Sequence, residues 1–580
     1  VRKLVNDLLE LFKKAYDLYG DKLILDSYKP DNGLYIRICS DDLWESTIIS
    51  KDGSDDTDLY NWFKKADYYS SLIDMNKAVD TKKTIHSNNY MSIFIKKDIL
   101  PEVGESEKIL TNVALIESLE RYFDIFKKNS KASSKDVERI DYNKVYILSN
   151  IPRLIEFIKS KNIGKKDYVK IFFQADLEKY KHENTRYLIP RIFNKNDYNL
   201  SIESKTYGLS NNNMGMNSKK PYLELMSTKF KVPFRVDVES ALIIKKLFEW
   251  LECQDSNNLY IPVEYDFKSS LGTSREKKPF YYIYLTRGTG LTIEDFDYLP
   301  HFTEKIKFVF YNFLQIQEAE KGDKYILDDE NINSIFELED RVNGYFYSGR
   351  LKNSYYQIPK VKTNEFSKTL LDLLIISRKA MHDYFKKGIE TDLRDIINRV
   401  SIEVVKEQLK MAQGISINKP AKALNLRLSF LKYFKLRGEN MGDKIKSMID
   451  MMNGKLALDN LATCENDDEF YFLAGQLAYY MLSQSEAAKK THGLVEPFLR
   501  SKNAEYLKRQ LGFTFDRYKH AISMNYSKFN NAMSAVQGYT TNKNLIENQD
   551  MFLAGFMSKN IFYDKKDSKD LNKGGSQNGK

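Results

Sequence analysis

Asn211, Asn212, Asn213 and Asn217 crowd the stretch Tyr207 to Phe234, YGLSNNNMGMNSKKPYLELMSTKFKVPF. Carboxamides in such a cluster could read the edge of a base, because each offers a donor and an acceptor together. Met214 lies among them, and Lys219, Lys220, Lys229, Lys231 and Arg235 follow, able to neutralise phosphates. Phosphate contacts position a protein on nucleic acid, and base contacts select the sequence. Asn and Gly also favour tight left-handed turns, so the centre of the stretch reads as a loop. The competing reading is a solvated polar loop whose asparagines cap nearby backbone groups.

Just upstream, in the run YLIPRIFNKNDYN from Tyr187 to Asn199 and the residue before it, Arg186, Arg191 and Lys195 interleave with Tyr187, Phe193 and Tyr198. Basic groups beside aromatic rings can grip a single strand through phosphate pairing and base stacking. An ordinary helix or strand end with buried aromatics gives the same pattern. Other chemistry is hard to find. There is no GxxxxGK[ST] loop and no HExxH, and the six histidines are scattered singly. His382-Asp383 is an HD dipeptide, the seed of a metal-dependent nuclease, but the local sequence offers no further ligands and the pair reads as an exposed helical one. Gly288-Thr289-Gly290 lacks the third glycine of a dinucleotide loop and reads as a turn. Cys39, Cys253 and Cys464 form no CxxC pair, so neither a zinc site nor a disulfide framework is expected. The chain is therefore expected to have no catalytic residues, no metal and no cofactor.

The elements that must carry these residues fall into an α+β arrangement. The N-terminal segment places Leu4, Leu8, Leu11, Phe12, Ala15 and Tyr19 on one helical face, with Gly20 at its stop. Leu34 to Ile38, Val145 to Leu148, Tyr168 to Phe173, Tyr260 to Tyr265 and Phe280 to Leu285 read as strands, and Ile151 to Lys159 as a helix. Helical periodicity dominates from about Asp295 to Tyr563. Its stripes include Ile445, Met448 and Met452; Phe470, Leu473, Ala474, Leu477 and Met481; Phe529, Met533 and Val536; and Leu553, Ala554, Met557 and Ile561. Serial stripes of this kind imply an antiparallel helical bundle. Two of them share Phe-Leu-Ala-Gly, at 472–475 and 552–555, where Ala and Gly would let helix backbones approach. These readings divide the chain into a mixed α/β region at 1–130, a central nucleic-acid-contacting α/β region at 131–295 and a helical part from 296, which the resemblance given below splits into a helical region at 296–440 and a C-terminal bundle at 441–580, with a disordered tail from 564. The net charge of +10 permits attraction to phosphate without demanding it. No apolar run is long enough to span a bilayer, and scarce cysteine fits a reducing cytoplasm.

The same motifs carry a family resemblance. YLIPRIFNKNDYN, NNNMGMNSKKPYLE and KFKVPF, in that order, resemble the middle of the large subunit of the type I-B CRISPR Cascade complex, the eighth Cas family, subtype b. FLAGQLAYYMLSQSEAAKKTHGLVEPFLRSKN, YSKFNNAMSAVQGY and DMFLAGFMSKNIFY resemble its helical end, so the likeness runs from about Tyr142 to Tyr563. It implies a non-catalytic subunit that contacts the crRNA 5′ handle, reads a PAM in target double-stranded DNA and supports R-loop formation. The implied partners are the backbone filament, a small subunit and a separately recruited helicase-nuclease, with no membrane. The resemblance further implies a small subunit translated from an internal start. Met441, directly after Arg437-Gly438-Glu439-Asn440, is the candidate start, and it equally suits an ordinary helix beginning. The readings left beside this one are a scaffold that does not read DNA and a nuclease around His382 and Asp383.

Overall fold

Along Tyr168–Phe173 the residues alternate between Val169, Ile171 and Phe173 on one side and Lys170 and Phe172 on the other, as a strand requires. In the computed structural model of the chain, this stretch is the fourth strand of a sheet. The structure describes residues 2–50, 57–128, 133–210, 235–264, 267, 279–288, 290–320, 323–362, 365–412, 417–455, 463–485 and 492–563. The chain forms two units, one of Val1–Thr273 with Pro279–Tyr298, the other of Leu299–Lys580 with Ser274–Lys278. The fold is of the α+β class.

In the first unit, β1 (Gly33–Ile38), β2 (Trp44–Ile49), β3 (Ser92–Lys96) and β4 (Tyr168–Phe173) lie in the order β2-β1-β4-β3. β1 and β4 are parallel and the other pairs antiparallel. Central strands buried on both faces need mostly apolar residues, and β1 and β4 supply them apart from Arg37 and Lys170; the edge strand β2, WESTII, is mostly half-buried. One face places Ile93, Ile95, Val169 and Ile171 against Leu115 and Leu154, from the helices Asn112–Lys127 and Ile151–Lys159. On the opposite face Tyr35 and Phe172 pack on Phe63 of the helix Asp58–Tyr68, with ring centroids 5.6 and 5.5 Å away. Lys170 also points there, 3% exposed, and pairs with Asp67 at 2.6 Å.

Two strand or helix readings need correction. Val145 to Leu148 belong to the helix Ser134–Ser149, not a strand. A capping box between Ser133 and Asp136 starts that helix, and helical spacing buries Tyr146 and Ile147 while leaving Val145 exposed. A short β-branched run is a weak signal against such a start. The region after Asp295 is not helical from its beginning either. The strands Lys305–Phe310 and Glu330–Ser334 pair antiparallel in the second unit, as do Gln317–Glu320 and Asp323–Ile326, and helices follow only from Ile335. KIKFVF is a period-2 pattern that the longer helical stripes downstream overshadow.

In the second unit the shared tetrapeptides meet. The helices Asp467–Ser483 and Leu545–Met557 touch at Gly475 and Gly555. A Cβ on Gly475 would lie 2.2 Å from Phe552 O, and one on Gly555 would lie 2.0 Å from Phe472 O. Gln476 threads the crossing: its Nε2 donates to Gly555 O (2.5 Å), and its Oε1 accepts from the Ile561 amide (2.8 Å). This pair runs in one direction rather than antiparallel, since Tyr471 donates to Lys543 O near their starts and Tyr480 packs on Phe562 near their ends. The intervening helices Ala504–Tyr518 and Ser527–Gly538 supply the return path.

The crossing predicts opposite effects of one substitution. Gly475→Ala and Gly555→Ala each destabilise by about 1–3 kcal/mol through overpacking. Gly512→Ala, in a helix with nothing within 4 Å of its added methyl, raises stability slightly. Denaturant unfolding of the three variants checks this; equal midpoints would show that the backbones do not approach as described.

Candidate nucleic-acid interface

The helix Leu177–Leu188 starts on Asp176, whose carboxylate accepts from the Glu178 amide (3.1 Å), and it tightens into the turn Ile189–Arg191 at Pro190. The end of this helix is anchored by polar contacts rather than by sheet pairing. The buried Tyr187 donates its hydroxyl hydrogen to Lys77 O (2.8 Å) and accepts from the Ile73 amide (3.3 Å). Lys77 Nζ in turn donates to the carbonyls of Arg191 (2.6 Å) and Phe193 (2.9 Å). Burial pushes the Lys77 amine below its ordinary range. With its backbone held this way, the segment presents its basic side chains in set positions.

Two of the expected backbone-gripping residues, Lys195 and Arg235, share Tyr198 as a neighbour, and a third, Arg191, lies on Tyr187. The Arg191 guanidinium lies 4.7 Å from the centre of the Tyr187 ring and donates to Tyr187 O (3.3 Å). Lys195 is half-exposed, pairs with Asp197 at 2.7 Å and sits 5.8 Å from the Tyr198 ring. Arg235 Nε donates to Tyr198 O (2.7 Å). Arg186 is different. Its side chain is 11% exposed and spent on Glu183 (2.5 Å) and Asp136 (3.5 Å), so it is a structural cation here. Of the interleaved rings, Tyr187 and Phe193 are buried and Tyr198 is half-buried. Tyr187 and Phe193 are thus packed inside, as in the reading of a helix end with buried aromatics, while Arg191 and Arg235 are partly exposed and Lys195 exposed.

Short strands close the base of the neighbouring stretch. Leu200–Ile202 pairs with Lys205–Gly208, which pairs with Val236–Asp237 through Tyr207↔Asp237 and Gly208↔Val236. The chain entering residue 211 and the chain leaving residue 234 are therefore held side by side, next to Arg235 and Tyr198. Asn211, Asn212, Asn213, Met214, Asn217, Lys219, Lys220, Lys229 and Lys231 lie outside the described residues, as does the tail from 564.

Sequence reasoning missed Lys77 and also Lys245 and Lys246 on the helix Val238–Glu252. Lys77 has no local signal, because its partners are carbonyls more than a hundred residues away. Lys245, Lys246 and Glu249 have the spacing of a solvated helix face, but that face turns inward. Lys246 pairs with Asp21 (2.9 Å) and Glu249 (3.4 Å), and Tyr68 donates to Glu249 (2.7 Å). Burial favours a neutral Glu249, yet Lys246 and Lys245 outweigh it and hold the carboxyl at about 2.

The HD pair also needs correction. His382 and Asp383 are buried at 1% and 5% exposure, on the helix Lys368–Lys387, not on its solvent side. The rings of Tyr355 and Tyr356 enclose His382, each 5.1 Å away. Asp383 lies 2.5 Å from Lys379, 3.4 Å from Lys387 and 3.4 Å from His382 Nδ1. Gly288 N donates to Gly290 O (3.2 Å) where Phe280–Arg287 turns into Leu291–Leu299, so the two glycines sit in a hairpin turn. Met441 opens the helix Met441–Lys455, just after Gly438 at φ +90°. Arg427, upstream of that point, is tied to Asp550 at 2.7 Å.

Among the described residues no helix is long and apolar enough to cross a membrane. The chain matches no family model, no curated protein and no solved structure.

Asp383 gives a pH prediction. Burial raises its pKa, but the hydrogen bonds from His382 and Lys379 and the charge of Lys387 overcome that and bring it from 3.8 to about 2. A lowered folded-state pKa stabilises above the unfolded value and loses that contribution as pH falls through the folded one. Asp383→Asn therefore costs about 2 kcal/mol at neutral pH, and the difference from wild type shrinks between about pH 4 and pH 2. Unfolding midpoints measured across that range check it; a constant difference would contradict the assignment.

Proposed function

We propose that this chain is the large, non-catalytic subunit of a type I-B Cascade complex. It holds the crRNA 5′ handle, reads the PAM in duplex DNA, supports the R-loop and meets the backbone filament, the small subunit and a recruited helicase-nuclease. The four-region division belongs to the same proposal, with the part from Met441 onward resembling the small subunit. The observation that supports the reading is that Lys195 and Arg235 both lie on Tyr198, beside the paired strands that flank residues 211–234, with Arg191 on Tyr187 earlier in the same segment.

The chemistry suits the task. Cations at a rim gain affinity by releasing condensed counterions, so their contribution falls with salt. They carry no sequence information, which leaves selection to base pairing with the guide and to PAM contacts.

The test is DNA binding by the guide-loaded complex assembled with and without this chain, on matched duplexes with a randomised PAM at two salt concentrations. PAM-dependent binding that vanishes without the chain is the expected result. Arg191→Glu with Lys195→Glu should weaken binding on all sequences about equally and reduce the salt slope by about 1 per removed contact. Changes of Asn211 to Asn213 should relax PAM preference. Unchanged binding without the chain would leave a scaffold, and metal-dependent cleavage by the isolated chain would point instead to His382 and Asp383.

A further inference from the structure

The chain carries a formal charge of +10, yet residues 101–120 hold five glutamates and one lysine. Apolar side chains stand exposed in the same stretch. Ile109 is 44% exposed, Val113 65% and Ile116 37%. Val113 and Ile116 lie in the first turns of the helix Asn112–Lys127. Ile109 just precedes the cap of that helix, where the Thr111 hydroxyl accepts from the Ala114 amide (3.2 Å). Helical spacing puts Val113, Ile116, Glu117 and Glu120 on one face and turns Leu115, Leu119 and Tyr122 to the core. The outer face therefore contributes little to the core. β-Branched residues there also lower helix propensity, so folding alone does not explain them. Single exposed apolar residues are ordinary, but three in one stretch rimmed by charges of one sign mark a contact surface. The backbone beneath them is fixed: Leu110 N donates to Ile99 O (2.9 Å) and Ser106 N to Asp98 O (3.2 Å). Glu102 and Glu105 have cations in their own unit, Lys159 at 2.6 Å and Lys165 at 3.4 Å. Glu107, Glu117 and Glu120 form no ion pair with any described residue.

We propose that this strip docks a basic amphipathic helix of a partner protein. Apolar residues of that helix cover Ile109, Val113 and Ile116, and its lysines or arginines meet Glu107, Glu117 and Glu120. The strip follows a helix for about two turns, a shape that a second helix matches ridge into groove. Its charge decides between guests. The same glutamates repel phosphodiesters and anionic lipid headgroups, while they draw in a cationic peptide. Docking here is independent of the nucleic-acid reading, which concerns Arg191, Lys195 and Arg235.

The experiment titrates the full chain with three labelled peptides, read by fluorescence anisotropy. One is a leucine–lysine peptide with helical amphipathic spacing. The second is a leucine–glutamate peptide of the same spacing, and the third a serine–lysine peptide of the same charge as the first. The leucine–lysine peptide should bind, and the other two about tenfold more weakly or not at all. Ile109→Ser with Val113→Ser, at exposed positions that leave melting unchanged, should weaken that binding about tenfold. Glu107→Lys with Glu117→Lys, also at exposed positions, should weaken it and flatten its salt dependence. Phe513→Ser, at a 67% exposed position in the second unit, should leave it unchanged and controls for adhesion to any exposed apolar residue. Absence of binding, binding that survives the Ile109 and Val113 changes, or equal binding of the serine–lysine peptide overturns the strip. Tighter binding of the leucine–glutamate peptide overturns it in favour of an acidic partner. Dimers in sedimentation that Val113→Ser dissolves overturn it in favour of a second copy of this chain.

Discussion

Lys170 and Asp67 form an ion pair inside the first unit, with both side chains at most 4% exposed. Two charges removed from water are costly, and such a pair persists only where further groups satisfy it. Here Tyr28 donates to the second Asp67 oxygen (2.8 Å), and Lys170 Nζ lies 4.7 Å from the Phe94 ring and 5.1 Å from the Tyr35 ring. Losing one partner would strand the other charge, a cost of about 3–5 kcal/mol. The pair therefore sets where the helix Asp58–Tyr68 lies on the sheet. The consequence reaches the next residue. Tyr68 follows Asp67, and its hydroxyl accepts from Lys246 (2.7 Å) and donates to Glu249. Asp21 joins the same network through Lys246, Tyr16 and Tyr69. The Lys170–Asp67 pair thus lies next in sequence to a second polar cluster of Tyr68, Lys246, Glu249 and Asp21.

The second unit depends on a different constraint, absence of side chain. Gly475 and Gly555 allow backbone contact, and Gln476 and Asn560 then satisfy the polar groups that the contact buries. Shape and hydrogen bonding agree at one crossing, which is how a helical unit gains one preferred packing among many. Asp550, on one of these helices, reaches outward to Arg427, so the crossing also orients the helix Asn418–Tyr433.

What was legible in the sequence follows from the range of the forces involved. Tyr168–Phe173 and Ile151–Lys159 were readable because alternation and helical spacing are local, and the paired Phe-Leu-Ala-Gly motifs because small residues at a helix face have few other uses. His382 and Asp383 were misread as exposed because Lys379 and Lys387 on the same helix look like solvent-facing partners, yet they neutralise a buried carboxylate. The Lys170–Asp67 pair spans 103 residues and leaves no local trace. At the candidate interface, residue types were readable but their allegiance was not: Arg186 and Arg191 are five positions apart, and one is spent on Glu183 while the other lies against Tyr187.

The central claim is that the surface from Tyr187 to Asn199, with Arg235, touches nucleic acid in a guide-loaded assembly. Photocrosslinking that assembly from probes in the crRNA handle and in the PAM-flanking duplex, with the attached peptides read by mass spectrometry, tests it most directly. The account predicts crosslinks within residues 187–199 and 211–235. Crosslinks that map wholly to other subunits, or only to distant parts of this chain, would contradict it.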